Sequence, residues 1–175
     1  RYNESSPTDG MELLLNILFT PKRHIKMEVR SKFEKKSINT NSNKIDQLAN
    51  QNKFQIRYNL KWDFTSQFSG QSRLAYSNYN LDSVLYHGWL FYQEIFLRSK
   101  QDKIGGSFRF AVFDVEDYEA RIYAYEQDVL YGFSIPAFQN TGVRTYLNLT
   151  WKILNRLTLY SRISRTVYLF ENEIS

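Results

Sequence analysis

No cysteine occurs in this chain, which removes disulfides, thiolate metal sites and thiol catalysis together. Long apolar runs are missing too. The longest stretch without a charged residue, Val129 to Val143, covers 15 residues and contains Pro136, so no transmembrane helix can be built from it. Only two histidines are present, His24 and His87, and there is no GxSxG, HExxH or P-loop pattern to carry hydrolase or nucleotide chemistry. The opening segment, RYNESSPTDG, is polar with no apolar stretch behind it. The expectation is a chain that begins after processing or inside a longer protein. The net charge of +5 is modest, and basic residues alternate with apolar ones rather than clustering into a nucleic-acid arm.

What is abundant is aromatic residues. Phenylalanine, tyrosine and tryptophan make up 17% of the chain, yet the mean hydropathy of -0.52 is polar. A sheet with one greasy and one wet face gives that combination. The period along the chain agrees. In KFQIRYNLKWDF, Lys53 to Phe64, the residues Phe54, Ile56, Tyr58, Leu60, Trp62 and Phe64 alternate without a miss against polar ones, which excludes a helix. Ile25 to Phe33 and Val143 to Trp151 alternate in the same way, and weaker strands are read at Met11 to Phe19, Ser69 to Asn78, Val84 to Arg98, Ile104 to Phe113 and Leu157 to Leu169. Val84 to Arg98 is apolar on both parities, so its register is not legible. Strands of this length exceed the five or six residues usual in globular sheets and match the roughly 9 to 11 tilted residues that cross a bilayer.

The connections fall into two lengths. Tight polar turns are read at Pro21 to His24, Thr65 to Phe68, Ser99 to Lys103 and Leu154 to Arg156, and longer links at 35–52, 79–83 and 114–142. Short and long connections alternate in this way around bacterial outer-membrane barrels. The reading is therefore all-β: an antiparallel transmembrane β-barrel segment, one unit over 1–175, with about eight spanning strands. Segment 35–52 is expected to be a long external loop, and 114–142 a large external loop holding a short hairpin that turns at Gln127 and Asp128. The same alternation puts both chain ends on the long-loop side, so a strand is expected to be missing at each end.

This reading assigns faces. Lys26, Arg30, Arg57, Lys61, Arg144, Lys152 and Arg162 are expected to face the lumen, because a lysine or arginine on the lipid side near mid-membrane costs about 2 to 4 kcal/mol. Phe54, Ile56, Tyr58, Leu60, Trp62, Phe64, Leu147, Leu149 and Trp151 are expected to meet lipid, with aromatic residues near strand ends acting as interface girdles. A net basic lumen favours anions, whereas an interior braced by ion pairs and tyrosine hydroxyls is closed. Asp114, Glu116, Asp117, Glu119, Glu126 and Asp128 place six carboxylates within fifteen residues. Hard oxygens at such spacing could hold Ca²⁺, with Asp114, Glu116, Asp117 and Glu119 as the candidates, but the glycine-bearing EF-hand order is absent. The favoured expectation is that these acids pair with basic side chains at the barrel rim.

The run FDVEDYEARIYAYEQDVLYGFSIPAFQNTGVRTYLNLTWK, Phe113 to Lys152, resembles a segment near the C-terminus of large outer-membrane β-barrel proteins of Bacteroidota-type bacteria. Those proteins are often described as helix-hairpin-helix domain-containing and competence-like. The resemblance rests most on Asp114, Asp117-Tyr118, Arg121 to Glu126, Asp128 to Tyr131 and Phe133 to Ala137, and more loosely on His87 to Glu94 and Asn148 to Ser164. It implies the outer membrane of a Gram-negative cell, with lipid bilayer and lipopolysaccharide as surroundings and other envelope subunits as candidate partners. The family's helix-hairpin-helix part lies upstream as a separate domain and has no counterpart here, so no nucleic acid is expected to bind this segment. Family members also continue past the position of Ser175. No cofactor is expected, and the expected role is non-catalytic: a scaffold, channel or receptor-like component. The alternatives are a soluble β-barrel or β-sandwich that binds an apolar ligand, and an outer-membrane hydrolase built around His87.

Overall fold

The computed structural model describes residues 9–42, 45–82 and 84–169, and they form one large antiparallel sheet. In chain order the strands are β1 (Gly10–Lys22), β2 (Ile25–Ser42), β3 (Ile45–Asp63), β4 (Phe68–Leu81), β5 (Val84–Arg98) and β6 (Ile104–Val115), then β7 (Ile122–Tyr123), β8 (Ala137–Phe138), β9 (Asn140–Leu154) and β10 (Leu157–Tyr168). Eight of them lie side by side in the order β1-β2-β3-β4-β5-β6-β9-β10, and β7 and β8 pair separately. Each strand expected from the period is present. The sheet is open: among the described residues β1 and β10 are each paired on one side only.

Segment 35–52, expected as a loop, is instead paired backbone from Lys35↔Asn52 to Ser42↔Ile45. Among the described residues the neighbouring strands pair only with its base, β1 as far as Gly10↔Lys36 and β4 as far as Gln51↔Leu81. The segment is a two-stranded ribbon standing beyond the sheet. Beyond that base its ladder is held by main-chain bonds, with no third strand beside it among the described residues, so no apolar period is imposed there. The 79–83 link is also short, with β4 running to Leu81 and Asp82 at φ 51° beginning the turn. One long connection therefore remains, from Glu116 to Gln139.

Register sorts the side chains onto two faces. One cross-sheet row reads Glu28, Asn59, Arg73, Tyr92 and Ala111, and the next Lys26, Lys61, Gln71, Glu94, Arg109 and Tyr146. On the opposite face a row reads Ile25, Trp62, Gly70, Ile95, Phe108, Leu147 and Ile163. The polar face is the buried one. Residues 116–139 fold back across it through a 3-10 turn, Tyr118–Ala120, and the β7–β8 hairpin. The hairpin turns at Asp128 to Gly132, where Tyr131 has φ 66° and Gly132 N–H donates to Val129 O, not at Gln127 and Asp128 as expected.

Room for this segment comes from small residues. Ala75, Ser77, Gly88 and Ala111 line the polar face where Ala120, Ile122, Ala124 and Phe138 come down, and Leu90, Tyr92 and Phe113 complete the contact. This small apolar core sits on the polar parity of β5 and β6, so β5 is apolar on both faces and its period is lost. Gly88 is a close-packed point: a side chain there would meet Ala120 O and the Val115 methyls at 3.0 Å. Gly88→Val is expected to lower stability by about 1 to 3 kcal/mol through overpacking. Its unfolding midpoint in denaturant, compared with that of the parent, measures this.

Candidate functional site

The polar face and the segment packed on it form the most highly organised polar site in the described residues. At its centre Glu94 of β5 is wholly buried and receives Arg109 of β6, whose Nε lies 3.2 Å from Glu94 Oε2 and whose Nη2 also donates to it. Gln71 Nε2 donates to the same oxygen at 2.8 Å, and the Tyr146 hydroxyl donates to Oε1. The Arg109 guanidinium lies between two rings, 3.9 Å from the Tyr92 centroid and 5.0 Å from that of Tyr146, and its Nη1 donates to Tyr125 O at 2.8 Å. A buried ion pair persists only when its remaining hydrogen-bonding capacity is filled, and here four strands and the covering segment fill it.

A second charge cluster fastens the segment itself. Glu126, also wholly buried, takes a bidentate pair from Arg144 of β9, Nε to Oε1 at 2.7 Å and Nη2 to Oε2 at 2.8 Å. Arg162 of β10 donates to Glu126 as well, to Ser134 Oγ at 3.1 Å and to Asp128 at 2.8 Å. Asn148 Nδ2 donates to Gln127 O at 2.6 Å, and at the other end Lys53 Nζ donates to Glu119 O at 2.6 Å. The segment is thus tied from β3 on one side to β10 on the other. Below its tip lies a cavity of about 780 Å³ lined by Asp63, Arg98, Ser107, Asp128, Asn148 and Lys152 among others. Ser107 Oγ and Asn148 Oδ1 are buried at its wall without a protein partner.

The seven basic residues lie on one face of the sheet: Lys26 lies opposite Lys61 and Arg30 opposite Arg57, while Arg144, Lys152 and Arg162 follow on the same side. Phe54, Ile56, Tyr58, Leu60, Trp62, Leu147, Leu149 and Trp151 lie on the other face, and Phe64 follows just past the end of β3, 71% exposed. The acids divide. Glu126 and Asp128 pair with strand arginines, though on the covered polar face where Glu126 is wholly buried and not at an exposed rim, and Glu119 lies 3.8 Å from Arg121. The others turn to backbone and hydroxyl groups. Asp114 accepts from Thr141 Oγ1, Glu116 from His87 N–H, and Asp117 caps the 3-10 turn through Glu119 N–H. They converge on no common point, and no group of three or more His, Asp or Glu among the described residues could hold a metal. His24 is exposed in the β1–β2 turn, and the His87 imidazole partners are the Tyr76 hydroxyl at 2.7 Å and the Asn78 amide at 3.2 Å.

Glu94, Arg109, Tyr92, Tyr146 and Arg73 were missed by the sequence reading. Their signal was parity: once β4 is paired with β3, Gln71, Tyr92, Glu94, Arg109 and Tyr146 fall on the face already assigned to Arg57 and Lys61.

Glu126→Gln leaves Arg144 and Arg162 without their shared carboxylate. Breaking a buried pair from one side costs about 3 kcal/mol. The expected result is cleavage between Asp117 and Phe138 in limited proteolysis at protease levels that spare the parent, with the sheet strands still protected. The chain matches no family model, no curated protein and no solved structure.

Proposed function

We propose that this chain is part of an outer-membrane β-barrel whose lumen is closed, over these strands, by the inward-folded segment 116–139, and that it acts as a membrane-embedded scaffold, channel or receptor-like component, not a catalyst. The inversion of burial carries this reading. The largest fully buried side chains include Arg109, Glu94 and Glu126, while Leu74, Phe91, Phe108, Leu147, Leu149 and Ile163 are 40 to 69% exposed on the opposite face. Water does not sustain an apolar face of that extent, and lipid does.

Three further observations support it. The apolar face is bounded, running over Phe54–Trp62 with Phe64 just beyond, Phe68–Tyr76, Trp89–Leu97, Ile104–Val112 and Val143–Ile153, nine to eleven residues in each strand. Crossing a bilayer with a tilted strand takes about that many. Beyond one border lie Asn52, Asn78, Asn80, His87 and Asp114 on the same face. Near the other, Trp62, Phe64 and Phe68 form an aromatic cluster with centroids 4.7 to 5.7 Å apart, as at a membrane interface. The four turns after β1, β3, β5 and β9 lie at one end, and the 35–52 ribbon and segment 116–139 leave from the other, as in outer-membrane barrels, with the short β4–β5 turn beside them at that second end. Strand β1, finally, is an edge left unprotected over most of its length: its apolar side chains Leu13, Leu14, Leu15, Ile17 and Leu18 are all at least 45% exposed, on both faces, and its proline, Pro21, and its register irregularity lie only at its Lys22 end. Edges of soluble sheets carry charge, proline or bulges, whereas a barrel pairs its edges away. The resemblance of Phe113 to Lys152 to outer-membrane barrels points the same way.

The competing reading, a soluble sheet whose apolar face covers a ligand or a second sheet, separates cleanly in experiment. Leu60→Arg and Leu149→Arg are expected to prevent assembly into the outer-membrane fraction, each placing a charge on the lipid face at about 2 to 4 kcal/mol. Lys61→Gln, adjacent to Leu60 on the opposite face, is expected to assemble normally. Arginine tolerated at both leucines, or a protein monodisperse in buffer without detergent, would refute the membrane reading.

A further inference from the structure

The inner face is not evenly neutralised. On the β5 to β10 side each buried cation has its carboxylate: Arg109 has Glu94, and Arg144 and Arg162 have Glu126, with Asp128 added for Arg162. On the β2 to β4 side the pattern stops. Arg30 and Arg57 lie directly opposite each other across β2 and β3, and Arg73 follows one row away on β4. Like charges placed directly opposite are unfavourable in a sheet. Among the described residues the one carboxylate near these three arginines is Glu28, 3.3 Å from Arg57 Nη2 and hydrogen-bonded to Asn59 at 2.9 Å. Arg30 and Arg73 pair with no carboxylate there, and Arg73 Nε donates to the side-chain Oδ1 of Asn59. The neighbouring Lys32 is already met by Glu12 at 3.0 Å and Glu34 at 3.2 Å.

These arginines surround a cavity. It encloses about 230 Å³ between β2, β3, β4 and the β7 strand, with Arg30, Arg57 and Arg73 in its wall, Ile122 and Tyr123 as its cover, and no carboxylate in its lining. Arg57 Nε is buried with no acceptor. A guanidinium presents a planar fork of donors that matches the oxygens of phosphate, and an unused donor at such a fork calls for an acceptor.

We propose that this cavity is an oxyanion site for a phosphate or phosphoryl group, with Arg57 and Arg73 as its main ligands and Arg30 completing the charge. Three guanidinium groups against one carboxylate leave two positive charges for a doubly charged group. The volume is below that of a drug-sized pocket and fits a compact headgroup. The site deepens the membrane reading by naming what the closed interior holds, but its chemistry depends only on the local arrangement.

The test is a calorimetric titration of the folded protein with inorganic phosphate, in phosphate-free buffer with non-ionic detergent, or without detergent if none is needed. One saturable site is expected. Arg57→Gln together with Arg73→Gln should weaken it at least tenfold, and Lys152→Gln, at the turn end of the sheet, should not change it. Should the double variant not fold, Arg30→Gln, which breaks no ion pair among the described residues, takes its place with a loss of at least threefold. Binding seen directly identifies a free anion as the natural occupant. Binding seen only after lipid extraction, with equimolar lipid phosphorus released, identifies a lipid headgroup. A flat titration before and after extraction would overturn the site, as would parent affinity in the arginine variants. Because the titration does not depend on membrane assembly, its failure is distinguishable from failure of the barrel reading.

Discussion

Glu94 and Glu126 have no solvent exposure, and a carboxylate in that position is tolerable only with cationic partners and filled hydrogen bonds. That requirement organises the interior. Glu94 collects Gln71, Arg109 and Tyr146 from β4, β6 and β9, and Glu126 collects Arg144 and Arg162 from β9 and β10. Neither set can form unless the strands are in one register, because a slip of one residue turns each side chain to the other face. The charges thus specify register, while the apolar side chains on the opposite face contribute little contact within the chain. An ordinary soluble sheet does the reverse.

The small residues under segment 116–139 follow from the same arrangement. A polar interior closed by ion pairs still has to pack, and here it packs through Ala120, Ile122, Ala124 and Phe138 descending onto Ala75, Leu90, Ala111 and Phe113. Gly142 contributes by having no side chain, since one would lie 2.8 Å from the Phe113 ring. The outer face solves its own irregularity differently. Gly70 is covered by the Trp62 ring, and Ser72 and Gln93, the polar pair amid apolar neighbours, hydrogen-bond to each other.

How far the sequence revealed this depends on whether one period or several competing demands governed each segment. Strand β3 from Lys53 to Asp63 was legible because its inward side chains are all polar and its outward ones meet none of the chain's own core. Strand β5 was not, because Leu90 and Tyr92 face inward to meet the covering segment while Trp89 and Phe91 face outward. The 35–52 ribbon was hidden for the opposite reason: beyond its base, among the described residues, its strands pair only with each other, and backbone pairing leaves no periodic trace in composition. The two glutamates at the centre were beyond reach from local pattern alone, since Glu94 meets Tyr146 across 52 residues and Glu126 meets Arg162 across 36. The acidic cluster was visible in composition, but which of its members would reach an arginine depended on how deep the hairpin descends.

That depth also accounts for the asymmetry of the inner face. The tip of the segment carries Glu126 and Asp128 down to the level of Arg162 and Asn148, so its carboxylates are spent against β9 and β10. What it presents to β3 and β4 is Ile122 and Tyr123, which close off space without bringing charge. Arg121, the one cation among these acids, is engaged with Tyr118 O at 2.8 Å and the Tyr123 hydroxyl at 2.7 Å, and so brings no anion across either. A single hairpin laid over a sheet this wide neutralises one side and roofs the other. The surplus of arginine around Arg57 is therefore a direct result of where the hairpin's acids lie in the sequence, and filling it requires a group that the described strands do not supply.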